Sequence, residues 1–135
     1  MLKILILGGY GYTGKLLAKH LLAQTDVEII ISGRNLDKAK SFADELNDSR
    51  VTVKQVDASD FNDFTQALQG VTLCLVAAPT THHTETVARA CIQARVDYLD
   101  VQFSSKKLKA LYTAEKEIKQ AELCFITEAG YHPGL

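Results

Sequence analysis

The feature that most constrains this chain is a near-continuous apolar run, Leu2 to Leu7, that empties into four glycines: Gly8, Gly9, Gly11 and Gly14. A strand that is apolar on both faces has to be covered on both faces, which is the situation of a parallel strand flanked by helices. The next segment supplies such a cover. Tyr12 to Gln24 carries Leu17, Leu21 and their neighbours at helical spacing.

The alternation continues to the end of the chain. Val27 to Ser32 is a second strand-like run, and Asn35 is placed to cap a helix whose Leu36, Ala39, Ala43 and Leu46 recur at steps of three and four. Val51, Val53 and Val56 alternate as a strand does. Asp60 caps a short helix with Phe61, Phe64 and Leu68 on one side, closed by Gly70. Val71 to Ala77 reads as a strand, Thr84 to Ala94 as a helix, and Tyr98-Leu99 as a brief strand. Ser105 to Gln120 has the pattern of one amphipathic helix, with Leu108, Leu111, Tyr112 and Ile118 on its apolar side. Leu123 to Thr127 gives a sixth strand.

Six strands joined by helical crossovers predict an α/β fold: a doubly wound, parallel six-stranded sheet with helices on both faces. Right-handed crossovers favour the order 3-2-1-4-5-6, with a ligand crevice beyond the carboxyl ends of strands 1 and 4. No linker or low-complexity tract interrupts the pattern, so residues 1–135 read as one domain.

Composition narrows the partners. Of 135 residues, 47% are hydrophobic, enough to bury a core. Fifteen basic side chains against 16 acidic ones leave a formal charge of −1. No broad positive field then gathers nucleic acid or an anionic membrane, and any anion site has to be local. No apolar run approaches the roughly 18 residues of a membrane span, and the Met1–Leu7 stretch is too short for a secretory signal. Cys74, Cys91 and Cys124 are odd in number, widely spaced and set among apolar neighbours, which predicts reduced, buried thiols in a cytoplasmic protein and no zinc site.

The glycines carry the first chemistry. Gly9, Gly11 and Gly14 satisfy G-x-G-x-x-G between the first strand and the first helix, a pattern that suits a dinucleotide. Gly9 is expected to permit the tight turn, Gly11 to let a pyrophosphate approach the backbone, and Gly14 to let the helix pack closely. The helix N-terminus offers N–H groups and partial positive charge, and Tyr12 and Thr13 open that first turn, with the Thr13 hydroxyl as a further donor. The plain alternative is a tight turn that binds nothing.

The end of the second strand distinguishes the cofactors. A site for NAD usually has an acidic residue there to accept from the ribose 2′-hydroxyl. This chain has Ser32-Gly33-Arg34-Asn35, and Glu28 lies too early. Arg34 suits a 2′-phosphate through charge-assisted hydrogen bonds, with Ser32 and Asn35 adding neutral ones, so NADP is expected over NAD. The other reading of Arg34 is an exposed loop arginine. Asp57 and Ala58 follow the third strand, where Asp57 suits either the adenine amino group or a plain turn, and Ala58 a ring. Ala77, Ala78 and Pro79 follow the fourth, small enough to pass beside a nicotinamide ribose.

This combination resembles the N-terminal cofactor domain, a Rossmann fold, of the saccharopine dehydrogenase family. The resemblance rests on the Gly9–Gly14 loop, Ser32-Gly33-Arg34, Ala77-Ala78-Pro79, the segment Ala90 to Asp100, and the closing Ala129-Gly130-Tyr131-His132-Pro133-Gly134-Leu135. It covers essentially the whole chain. One departure is Arg95, where family members often carry glycine. The resemblance implies an NADP-dependent oxidoreductase that moves hydride between nicotinamide and a C=N or C–N bond of an amino-acid-derived small molecule. It also implies a second, substrate-binding domain after the final turn, with the 135 residues alone inactive and the catalytic residues partly beyond Leu135.

Remaining candidates are weaker. Asp100, at the end of the fifth strand, suits the crevice or, more simply, a cap or turn. His132 has either a substrate or a surface role. His82 and His83 are adjacent, off any common helical face, and read as surface residues. Tyr112 and Lys116 fit Y-x-x-x-K, the acid–base pair of short-chain dehydrogenases, but no serine lies about 13 residues earlier, where Leu99 stands. From that rival comes the alternative function, a non-catalytic NADP-sensing module of atypical short-chain type.

Overall fold

β-branched and leucine residues are abundant in Lys3–Leu7 (β1) and Glu28–Gly33 (β2), where successive side chains go to opposite faces and both faces are buried. Ile4 and Ile6 pack on one side with Ile29 and Ile31. Leu5, Leu7 and Ile30 pack on the other. Each such side chain removed fully from water stabilises the fold by about 1.5–3 kcal/mol. In a computed structural model that describes residues 2–129, these two strands form the centre of a six-stranded sheet.

The remaining strands are Val51–Gln55 (β3), Leu73–Val76 (β4), Asp97–Asp100 (β5) and Phe125–Ile126 (β6). All five pairings are parallel, in the order β3-β2-β1-β4-β5-β6. The expected fold class and strand order are both observed. Helices Tyr12–Gln24 (α1) and Leu36–Leu46 (α2) follow β1 and β2, and their Ala18, Ala39 and Phe42 join the core on the Ile4 side. Phe61–Ala67 (α3), Thr84–Ala94 (α4) and Ser105–Thr113 (α5) contribute Phe64, Val87, Cys91 and Leu111 to the other core.

Capping follows the sequence closely. Asn35 accepts from Lys38 N–H, Asp60 from Asp63 N–H and Ser104 from Lys107 N–H. Arg95 ends α4 at φ 57°, in the left-handed region that favours glycine, the residue the family resemblance leads one to expect there.

Two expectations are corrected here. The single helix Ser105–Gln120 is divided: α5 ends at Thr113, Ala114 turns, and Glu115–Gln120 (α6) follows. Buried Ala114 and Leu111 face the core at that corner, while Tyr112, Thr113, Glu115 and Lys116 are exposed. Of the cysteines, Cys74 and Cys91 are buried as expected, but Cys124 is exposed because it lies in the turn before the edge strand β6.

Candidate functional site

The chain reverses its direction of winding between β1 and β4, and the loops leaving these strands diverge there. That divergence is where ligands lie in open α/β sheets. A cleft of about 290 Å³ opens at this point. Its floor is Gly8 and Gly11; Gly33 and Arg34 come from the end of β2, Asp57 and Ala58 from β3, and Ala77, Ala78 and Pro79 from β4. Tyr10 and Arg34 also border an adjoining groove with Asn35, Asp37 and Gln55.

Within the glycine loop, the structure reassigns the roles. Gly8, not Gly9, makes the tight turn: its φ is +80°, and a Cβ there would lie 2.6 Å from Ala78 Cβ. Gly8 N–H and Gly9 N–H both donate to the Ser32 carbonyl, at 2.8 and 3.2 Å, which ties the loop to the end of β2. Gly14 brings α1 against the loop itself rather than the sheet, since a Cβ would sit 2.2 Å from the Gly8 carbonyl oxygen. Gly9 and Gly14 are therefore buried framework beneath the cleft, while Gly11 is exposed.

Gly11 is also the N-cap of α1, and no side chain caps that helix. Its first turn holds no acidic residue. Uncapped N–H groups, the helix dipole and a glycine at the rim together form a place for a phosphate. This agrees with what a pyrophosphate requires. Tyr12, 85% exposed, and Thr13 stand on that turn but not on the cleft wall.

Of the residues expected at a 2′-phosphate, the structure brings Arg34 and Asn35 to the groove and withholds Ser32. Arg34 is exposed and forms no ion pair among the described residues. The Asn35 side-chain oxygen Oδ1 is committed to capping α2, accepting from Lys38 N–H. Ser32 is fully buried, and its hydroxyl donates to the Ile6 carbonyl at 2.9 Å, so it fastens β2 to β1 instead of facing a ligand. Asp37 shares the groove and opposes an anion there, against the favourable α2 N-terminus.

Asp57 lies on the wall as a turn residue. Its carboxylate accepts from the Ser59 hydroxyl at 2.6 Å and the Ser59 amide at 2.9 Å. These bonds hold its carboxyl below the usual range, with Arg34 and His83 adding weaker electrostatic pulls. Ala58 is buried behind it. At the far end, Ala77, Ala78 and Pro79 form the rim, and the Gln102 side-chain amide donates to the Ala78 carbonyl.

Further wall residues come from segments that the sequence does not mark as part of the site. His82 and His83 are surface residues as expected, His82 exposed and His83 half-buried, but they also line the cleft from the 3₁₀ turn Thr81–His83 that follows β4, with the two rings 3.9 Å apart. Tyr10 and Gln55 were not singled out at all. The only sequence signal for Tyr10 was its place inside the glycine loop.

Other candidates are placed elsewhere. Asp100 is completely buried and caps no helix; it makes a turn contact with Gln102 N–H at 3.3 Å and is a hub besides, receiving Lys107 Nζ at 2.7 Å, Tyr98 Oη at 2.5 Å, Thr127 Oγ1 and the Glu128 amide. Tyr112 is 70% exposed, not on the apolar side, and the turn at Ala114 puts it and Lys116 on different helices. His132 and the segment Gly130–Leu135 lie outside the described residues.

Known proteins match this description. The model of the family described as "Saccharopine dehydrogenase NADP binding domain" matches residues 4–124. Among solved structures, apo saccharopine dehydrogenase (L-Glu forming) from Saccharomyces cerevisiae superposes with a TM-score of 0.85 at 22% identity, over 99% of this chain and 28% of that one. Triphenylmethane reductase from Citrobacter sp. gives a TM-score of 0.71 at 23% identity, over 93% of this chain and 47% of the other. At these identities the likeness establishes the fold. A curated relative, glutamyl-tRNA reductase of Chlorobium chlorochromatii, is 42% identical over 50 residues, which is 37% of this chain and 12% of that protein. No helix among the described residues is long and apolar enough to cross a membrane. With its strand order, its cleft at the β1/β4 divergence and a family match over nine-tenths of its length, the chain belongs to the saccharopine dehydrogenase NADP binding domain family, and its cofactor is NADP.

Proposed function

We propose that this domain holds NADP for an oxidoreductase acting on the C=N or C–N bond of an amino-acid-derived small molecule. The observation that carries the cofactor half is the pairing, in one continuous cleft, of an α1 N-terminus that no side chain caps with an arginine at the end of β2 that is exposed and forms no ion pair among the described residues. The bound nicotinamide supplies the hydride chemistry. This chain's own residues bind and orient. The α1 turn and Gly11 hold the pyrophosphate, Arg34 holds the 2′-phosphate, and the Ala77–Pro79 rim leaves room beside the nicotinamide ribose. His82 and His83 close one side of that rim.

The substrate half rests on family membership and on the yeast enzyme's printed name. The chain spans 28% of that enzyme's length. We therefore assign the substrate and acid–base groups to a following domain. The test is calorimetric titration of the 135-residue chain with NADPH and NADH, beside an assay for turnover. Tighter binding of NADPH without turnover is the expected result; equal binding of both cofactors would remove Arg34 from its role.

A further inference from the structure

The Arg34 side chain is long and exposed, so its value as a phosphate ligand depends on where its backbone aims it. The structure holds that backbone with unusual care. The peptide unit joining Arg34 to Asn35 is bonded at both of its polar ends, each time by a side chain from another part of the fold. Its carbonyl accepts from Gln55 Nε2, at the end of β3, at 3.0 Å. Its N–H donates to the Tyr10 hydroxyl, in the glycine loop, at 3.0 Å. One residue earlier, the Gly33 carbonyl accepts from Val56 N–H at 3.0 Å.

Tyr10 also reaches its place only because residue 33 is glycine. A Cβ at Gly33 would lie 2.5 Å from the Tyr10 ring and from its hydroxyl. The ring therefore lies over Gly33, and the hydroxyl arrives at the next peptide but one. Tyr10 and Gln55 share the groove wall with Arg34. A turn on the protein surface is ordinarily free to rotate such a peptide, and holding it fixed removes an ordering cost from binding.

We propose that Tyr10 and Gln55 are the positioning residues for recognition of the 2′-phosphate, acting through Arg34, and so set the preference for NADP over NAD. This rests on the assignment of Arg34 to that phosphate. It adds that the preference is built by three elements, the β1–α1 loop, the β2–α2 turn and the end of β3, and not by the arginine alone.

The experiment measures dissociation constants for NADPH and NADH, and for 2′,5′-ADP and ADP as fragments, in the wild type and four variants: Tyr10→Phe, Gln55→Leu, Arg34→Ala and Tyr10→Phe/Arg34→Ala. Tyr10→Phe keeps the ring over Gly33 and deletes only the acceptor. Loss of one hydrogen bond predicts about a fivefold fall in NADPH and 2′,5′-ADP affinity, with NADH and ADP unchanged. Gln55→Leu should behave alike. In the Arg34→Ala background the Tyr10→Phe change should add nothing.

Three results would overturn the proposal. An equal loss for all four ligands would make Tyr10 merely structural. A further loss of NADPH binding on top of Arg34→Ala would make Tyr10 a direct ligand. An unchanged NADPH/NADH ratio in Tyr10→Phe and Gln55→Leu, while Arg34→Ala abolishes it, would leave Arg34 standing and remove its supports. If Arg34→Ala itself leaves the ratio unchanged, the underlying assignment fails instead.

Discussion

Asp100→Ala should cost about 3–5 kcal/mol, a large fraction of the stability of a domain of this size. The carboxylate and its partner ammonium are both out of solvent, at 0% and 1% side-chain exposure, with Nζ and Oδ1 2.7 Å apart. Alanine would leave the Lys107 ammonium buried with only the Gln102 carbonyl, and would strand the Tyr98 hydroxyl and the Glu128 amide. Chemical denaturation should show the midpoint falling at constant slope. Thermal unfolding should fall by about 10–20 °C for a chain of this length. The double variant Asp100→Ala/Lys107→Met removes the uncompensated charge and should recover about 2 kcal/mol of the loss. A double variant no more stable than Asp100→Ala would refute the buried-charge explanation.

The same site has a pH signature. Burial pushes the Asp100 carboxyl up, but hydrogen bonds from Lys107, Tyr98, the Glu128 amide and Thr127 outweigh it and leave the carboxyl below its usual range. A carboxyl depressed in the folded state contributes stability that is present above the unfolded value of about 3.9 and is lost as pH falls through the folded one. The stability gap between wild type and Asp100→Ala should be full at neutral pH and narrow below about pH 4.

Three further outcomes are expected. Gly14→Ala should destabilise by about 1–3 kcal/mol despite alanine's better helix propensity, because the added Cβ meets a backbone oxygen at 2.2 Å; thermal unfolding checks this. Gly11→Val should lose both NADPH and NADH by titration; its Cβ meets the Gly8 carbonyl oxygen at 3.3 Å, a mild conflict beside the 2.2 Å one at Gly14, so its thermal midpoint should fall less than that of Gly14→Ala. Arg95→Gly should raise stability by about 1 kcal/mol by relieving the left-handed residue at the end of α4, read from the denaturation midpoint.

The parts of the site that could be read in the sequence are those made by neighbours along the chain. The glycine loop, the Asn35 cap and the position of Arg34 after β2 are local patterns, and the structure places them where that reading put them. The errors have a common cause. Ser32 stands beside Arg34 and so reads as a ligand, but its hydroxyl is turned to the Ile6 carbonyl of the neighbouring strand. Asp100 does make the turn contact its position suggests, accepting from Gln102 N–H, but its role as a buried hub is invisible in the sequence because Lys107 and Thr127 come from later elements. Tyr10, Gln55 and His83 meet only because three loops converge at the carboxyl end of the sheet.

The doubly wound sheet, its strand order, the place of the crevice and an arginine where an NAD site carries an acid are all legible along the chain. Hydrophobic periodicity, turn residues and charge type all act over a few neighbouring residues, and so they are visible in one dimension. Which glycine makes the turn, which polar groups are consumed inside the sheet, and which side chains bond the Arg34–Asn35 peptide are settled by the tertiary structure. Those depend on atoms far apart in the chain brought within about 3 Å of one another, the range at which steric exclusion and hydrogen bonds act.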